Sequence, residues 1–260
     1  MSTYGVFGSR AAILGHRGCG RGVVDGYVEN TLESFLAAVG FGLDWVEVDV
    51  RRTSDDVLVV THNPARDDGA FYCDLTGEQA AASGALRLET LLEALPPHVG
   101  VDFDVKSDLA DAQRDRLRTT TGLLAPIATR EAARRPTLIT SFDAGGLTIA
   151  RELAPGVPRG LLTWVEFPAG HAVAAAAHLD VQVLALHGGS LKPNKIEPRH
   201  LQYPLPRIVE TVHGAGLELM AWCPGVKFGR ELLAAGADAL CVNNVPKLLA
   251  ELTVSAARAS

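Results

Sequence analysis

The sequence predicts an α/β protein: a (β/α)8 TIM barrel forming a single domain over residues 1–260, with a short insertion after strand two. Three observations predict it. Short apolar runs alternate with amphipathic, Ala/Leu-rich stretches along the whole chain, the pattern of βα units and a parallel sheet. Nine such runs yield eight βα units once one neighbouring pair is read as a strand with its local return strand, and 260 residues suit eight units. No G-x-G-x-x-G follows the first run, which weighs against a doubly wound open sheet.

The elements follow in order. Strands are expected at "AAILGH", "WVEVDV", "VLVVTH", "VGVDFDVK", "PTLITSF", "RGLLTW", "VQVLALH", "LELMAW" and "DALCVN". Here "SDD" supplies the tight turn that folds "VLVVTH" back on "WVEVDV". Helices are expected between them, at "ENTLESFLAAVG", "LETLLEAL", "DAQRDRLRTTTGLLAPIA", "AGGLTIAREL", "HAVAAAAH", "PRIVETVH", "FGRELLAAG" and "VPKLLAEL". The least regular stretch covers about residues 63–87 and is expected to be either a cap or insertion at the barrel mouth or an ordinary long loop with one short helix.

Composition narrows the function. Hydrophobic content of 47% allows a large core, and a formal net charge of −6 gives no basic footprint for nucleic acid. Cys19, Cys73, Cys223 and Cys241 are scattered without a C-x-x-C pair, as expected of reduced thiols in a cytoplasmic protein. No secretory signal or transmembrane run is visible, so stable membrane insertion is not expected. Oligomeric state is left open.

In such a barrel the site sits where strands end. The first strand ends in His16-Arg17-Gly18, the second carries Glu47 and Asp49, and its return ends in His62-Asn63. The third carries Asp102, Asp104 and Lys106; later ones end in Ser141-Phe142-Asp143, Trp164, His187, Trp222 and Asn243-Asn244. Residues two apart on a strand share a face, so Glu47 and Asp49 lie together, as do Asp102, Asp104 and Lys106. Three or four converging carboxylates repel, and a hard divalent cation, Mg2+ or Ca2+, relieves that with oxygen ligands. The competing reading turns some acids outward to pair with Arg51, Arg52 or Lys106. His16 and His62 are the natural general acid and base. Arg17 and Lys106 could hold an anion, which beside a metal suggests phosphate. Trp222 is either an apolar substrate contact or a core residue, while His187, Lys192 and Lys195 in "ALHGGSLKPNK" are candidates for the mouth.

These motifs, in this order, resemble the glycerophosphodiester phosphodiesterases. The likeness lies in "GHRG", then "ENTLESFLAAVGFGLDWVEVDVRRTSDDVLVVTHNP", with "VDFDVK", "LITSFD", "GLELMAWCPG" and "LLAAGADALCVNNVP" extending it over nearly the whole chain. The resemblance implies a (β/α)8 barrel that hydrolyses a small-molecule phosphodiester, a glycerophosphodiester, to an alcohol and glycerol 3-phosphate with a divalent cation. It maps the metal ligands onto Glu47, Asp49 and Asp104, the acid/base pair onto His16 and His62, and phosphate contacts onto Arg17 and Lys106. Glu29 falls on the first residue of E-N-T, near the metal or an adjacent polar network. Several departures stand out. The spacer after H-R-G is long and lacks a Pro before Glu29, and the segment following His62 is short. Asp104 replaces a Glu, and Asn63 replaces an Asp. "WCPG" stands for W-T-x-N, and "CVNNVP" for a T-D-x-P ending. Two alternatives remain: a lyase or lysophospholipase-D-like enzyme of the same fold that forms a cyclic phosphate, and a non-catalytic binding barrel.

Overall fold

Alternation along each strand sorts side chains between a central lumen and an outer shell of helices. The computed structural model describes residues 5–193 and 202–259. Its strands are β1 (Ala12–His16), β2 (Val23–Val24), β3 (Tyr27–Val28), β4 (Trp45–Arg52), β5 (Leu58–Val60), β6 (Leu86–Arg87), β7 (Gly100–Val105), β8 (Thr137–Ser141), β9 (Arg159–Leu162), β10 (Val183–His187), β11 (Glu218–Trp222) and β12 (Ala239–Val242). The helices are α1 (Leu32–Gly40), α2 (Gly77–Ala82), α3 (Leu88–Ala94), α4 (Thr120–Ala132), α5 (Ala144–Leu153), α6 (Ala169–His178), α7 (Leu205–Gly214), α8 (Val226–Ala234) and α9 (Val245–Ala259).

Parallel pairing runs β1-β12-β11-β10-β9-β8-β7-β4, and β4 pairs back onto β1, so the sheet closes as the predicted barrel. β5 returns antiparallel along the top of β4, and β6 extends that edge. The turn between β4 and β5 holds Asp56 at φ 66°, a left-handed position that Asp tolerates. The small β2–β3 hairpin lies in the first βα loop.

Val46, Val48 and Val50 of β4, with Val101, Phe103 and Val105 of β7, join the large core between sheet and helices. The intervening residues face the lumen, whose lower part is apolar: Leu14, Trp45, Leu138, Leu162, Val183, Ala185, Met220, Ala239 and Cys241. Phe7 closes the bottom, edge-on to Trp45 with ring centroids 5.4 Å apart. Gly100 makes room for that indole, because a Cβ there would run into the Trp45 ring. One step of two residues further up each strand, the lumen turns polar: Leu14 gives way to His16, Trp45 to Glu47 and Asp49, Leu138 to Thr140.

One expected helix is wrong in extent. "DAQRDRLRTTTGLLAPIA" is not a single helix: 3₁₀ turns occupy Leu109–Gln113 and Arg116–Arg118, and α4 begins only at Thr120. Short polar side chains compete for the backbone there. Asp115 accepts from Leu117 N–H and Thr119 from Gly122 N–H, so the helix is capped eight residues after Asp111. Similarly, Thr31 caps α1, which leaves Glu29 and Asn30 of "ENT" outside the helix. Among the described residues no helix is long and apolar enough to cross a membrane, and all four cysteines are free.

Candidate active site

The first loop reaches back over the lumen because Arg17 takes a left-handed backbone, φ 57°. That turn points its N–H at Glu47 Oε2, 2.8 Å away. The guanidinium meets Glu29 Oε1 at 2.8 Å and Asp49 Oδ2 at 3.2 Å. The E-N-T segment therefore has a divided role. Glu29 neutralises Arg17 and also accepts from Gly22 N–H, Asn30 Nδ2 donates to Asp49 Oδ2 at 2.9 Å, and Thr31 caps α1.

The acids are brought together by register. Across β4 and β7, Glu47 stands opposite Asp102 and Asp49 opposite Asp104; across β1 and β4, His16 stands opposite Glu47. Glu47, Asp49 and Asp104 each offer an oxygen, all within 4.8 Å of one another, and all three are buried. Lys106 closes the group from one side: its Nζ is 2.9 Å from Asp49 Oδ1 and also contacts Asp104 Oδ2. The strand acids therefore do not turn outward: Lys106 pairs with two of them inside the site, while Arg51 meets Asp108 at 3.3 Å and Arg52 meets Asp111 at 2.6 Å.

Burial and crowding separate the acids. Burial first, then Asp49 and Asp104, push the Glu47 carboxyl far above the usual range. Burial also raises Asp102 and Asp104. For Asp49 burial is outweighed by Lys106 and Arg17, which hold its carboxyl well below the usual range. Lys106 is correspondingly raised, since Asp104 and Asp49 overcome its burial. Burial, then Arg17, pushes His16 down to about 4, so its ring is neutral at neutral pH.

A cavity of about 300 Å3 opens above these groups. It is lined by His16, Arg17, Glu47, Asp104 and Lys106 on one side, and by Phe142, Trp164 and Trp222 on another. His62 also lines it; Asn63 Oδ1 lies 3.0 Å from its Nδ1, and Arg51 holds its carbonyl at 2.9 and 3.1 Å. Asp49 is not in the lining; fully buried, it reaches the site through Arg17 and Lys106. Phe142 stacks on Trp164 at 4.5 Å and meets Trp222 edge-on at 5.8 Å. Trp164 is 67% exposed and so forms rim rather than core.

Of the sequence-selected residues, His16, Arg17, Glu47, His62, Asp104, Lys106 and Trp222 line one cavity, and Glu29 and Asp49 join it through their ion pairs with Arg17 and Lys106. Of the mouth candidates, His187 packs edge-on to Trp222 at 4.5 Å, and Lys192 sits over Phe228 at 4.2 Å, away from the acids. Lys195 lies outside the described residues. Sequence reasoning gave no role to Asn30, Thr140 or Asn243. Thr140 donates to Asp102 Oδ1 at 2.8 Å, and Asn243 Oδ1 lies 2.5 Å from His16 Nδ1. Lumen-facing alternation could have flagged Thr140 opposite the acids; nothing in the sequence pairs Asn243 with His16.

Known proteins are similar to this chain in sequence and in fold. A stretch of 109 residues, 40% of this chain, is 37% identical to the glycerophosphocholine phosphodiesterase gde1 of Schizosaccharomyces pombe; it spans only 9% of that protein. A glycerophosphodiester phosphodiesterase of Parabacteroides distasonis superposes with a TM-score of 0.74 at 20% identity, covering 95% of this chain and 100% of that one. A phosphodiesterase of Oleispira antarctica, solved with the product sn-glycerol-3-phosphate, gives a TM-score of 0.73 at 20% identity, with 93% and 96% covered. At these identities the structural matches speak for the fold. The model of the glycerophosphoryl diester phosphodiesterase family matches residues 16–247, and the chain belongs to that family.

Proposed function

We propose that this chain hydrolyses a glycerophosphodiester to an alcohol and glycerol 3-phosphate, with glycerophosphocholine the first diester to test. The observation that carries the reading is one cavity lined by Glu47, Asp104, His16, His62, Arg17 and Lys106, with Asp49 buried close to the two acids. In this reading Glu47, Asp49 and Asp104 hold a divalent cation, Mg2+ or Ca2+. The residues fit such an ion. All donors are oxygens, as a hard cation prefers, and Glu47 Oε1 and Asp104 Oδ1 are buried with no hydrogen-bond partner among the described residues. When bound, the cation supplies Lewis-acid charge against the phosphate oxygens. Asp104 in place of Glu shortens one arm, and the Lys106 contact would have to share that carboxylate with the ion.

Arg17 and Lys106 orient the phosphate as fixed positive charges, each already anchored by carboxylates and so spared side-chain ordering on binding. Hydrolysis then needs two proton transfers. The oxygen of water attacks phosphorus, and one histidine takes the water proton. The bond from phosphorus to the alcohol oxygen breaks, and the other histidine protonates that oxygen. Trp164 and Trp222, with Phe142 stacked on Trp164, give the cavity an aromatic wall for the alcohol, of a kind suited to a quaternary ammonium. Trp222 Nε1 is buried without a partner among the described residues, leaving a donor for a substrate oxygen. Residues 1–260 are taken as one domain, with 63–87 as the insertion beside the mouth, and the free thiols support a reducing, cytoplasmic setting.

The test is release of choline and phosphomonoester from glycerophosphocholine with Mg2+, with Ca2+, and with EDTA. Turnover is expected only with a cation, lost in EDTA and restored by excess metal. Phosphorus NMR should show the monoester as the end product. Cation-independent turnover would remove the metal site, and a persistent cyclic phosphate would convert the reading to a lyase.

A further inference from the structure

The two C-terminal departures from the family pattern, "WCPG" and "CVNNVP", meet at a single atom of the site. Asn243 Oδ1 lies 2.5 Å from His16 Nδ1 and 3.2 Å from Cys223 Sγ; the sulfur is 3.6 Å from that same ring nitrogen. An oxygen between these two groups accepts from both, from the ring Nδ1–H and from the thiol S–H. Turned over, the amide would face its NH2 toward sulfur, a weak acceptor, and would strip the thiol of its oxygen partner. Burial keeps the thiol protonated, with its pKa pushed up to about 11, so the S–H donor persists at neutral pH.

The backbone holds both residues in place. Met220 and Trp222 face the lumen, so strand alternation would turn Cys223 outward. Instead Cys223 adopts φ 51° while its N–H donates to Cys241 O at 2.8 Å. That left-handed turn returns the sulfur toward His16. Asn243 is gripped by the first loop: Arg21 N–H donates to Asn243 O at 3.2 Å, and Val245 N–H donates to Cys19 O at 3.0 Å. A side chain at Gly20 would run into the Asn243 carbonyl, so the missing Cβ permits this approach. By contrast, the amide beside His62, on Asn63, is exposed and has no such frame.

We infer that Asn243, backed by Cys223, is a positioning pair that fixes His16 in the Nδ1–H tautomer and leaves Nε2 as its proton-accepting atom. Nε2 is the nitrogen on the Glu47 side, 3.9 Å from Glu47 Oε2. This rests on the acid/base reading of His16 and deepens it, since the second ring nitrogen of a histidine is set by the partner of the first.

Long-range proton–nitrogen NMR on 15N-labelled protein, without added metal at pH 7.5, reads the tautomer directly. Wild type should show His16 with a protonated Nδ1 and a bare Nε2; the opposite tautomer, or an even mixture, overturns the proposal. Asn243→Leu should mix the tautomers and lower kcat roughly 10²-fold, with KM within about twofold. Asn243→Asp, which keeps the oxygen, should retain the Nδ1–H form. Cys223→Ser keeps a donor and should match wild type, while Cys223→Ala should loosen the tautomer part-way. An unchanged tautomer in Asn243→Leu would also overturn the proposal, and if that variant fails to fold the wild-type spectrum still decides. His16→Ala separates the two readings: full activity there removes the acid/base role, while the tautomer measurement judges the positioning by itself.

Discussion

The two ends of the barrel lumen solve the same problem, burial inside a closed sheet, in opposite ways. At the bottom, Phe7, Trp45, Leu14 and Met220 fill the space with apolar volume. The polar exception there, Glu218, accepts from Val6 N–H at 2.8 Å and Phe7 N–H at 3.3 Å and so pins the N-terminal plug. At the top, Glu47, Asp102 and Asp104 are buried among like charges, and each keeps an oxygen without a hydrogen bond among the described residues. The lower end is built for stability. The upper end crowds buried carboxyls together, and burial and like charge there raise the Glu47, Asp102 and Asp104 carboxyls above their ordinary range, which is how sites shift the protonation of their groups.

Substitutions at the two ends should therefore separate activity from stability. The largest effect is expected at the top: His62→Ala should lower kcat on glycerophosphocholine by roughly 10²–10⁴-fold, the usual contribution of a positioned acid or base. Its thermal midpoint should barely move, because His62 is only partly buried and, among the described residues, its ring bonds only to Asn63. A large drop in midpoint would erase the contrast. At the bottom the order reverses. Trp45→Ala should cost about 3–5 kcal/mol in denaturant unfolding, the range for emptying a buried aromatic site. Folded Trp45→Ala should keep its KM, since Trp45 is absent from the cavity lining.

The smallest effect concerns Glu218→Gln. Burial, then Asp238, raises the Glu218 pKa above its ordinary 4.5. A raised folded-state value means the folded protein holds this proton more tightly than the unfolded chain. Its contribution is full below about pH 4.5 and is lost as pH rises through the folded value. The stability of wild type relative to Glu218→Gln should therefore be greater at pH 4 than at pH 7. A difference that is flat with pH would show that the carboxyl titrates normally.

Much of this site was legible without coordinates because it is written on strands. Period two puts Glu47 with Asp49 and Asp102 with Asp104, and the barrel rule puts strand ends on one rim. The helix spanning "DAQRDRLRTTTGLLAPIA" was misjudged for a local reason: Asp115 and Thr119 hydrogen-bond their own neighbours, and polar side chains of that kind interrupt a helix whose apolar spacing looks continuous. Thr140 and Asn243 were missed for a different reason, since their partners lie far off in the chain.

What the sequence determined by itself was the alternation, and with it the barrel, the acid pairs and the histidines at strand ends. How those groups are charged and aimed came from closing the barrel. Closing β4 onto β1 sets His16 opposite Glu47, and pairing β12 with β1 carries Asn243 to His16 across 227 residues. Pairing of β4 with β7 stacks four carboxylates in two registered rows, with Lys106 between two of them. Protonation and tautomer depend on burial and on neighbours within a few ångströms, and those neighbours exist only once the sheet has closed.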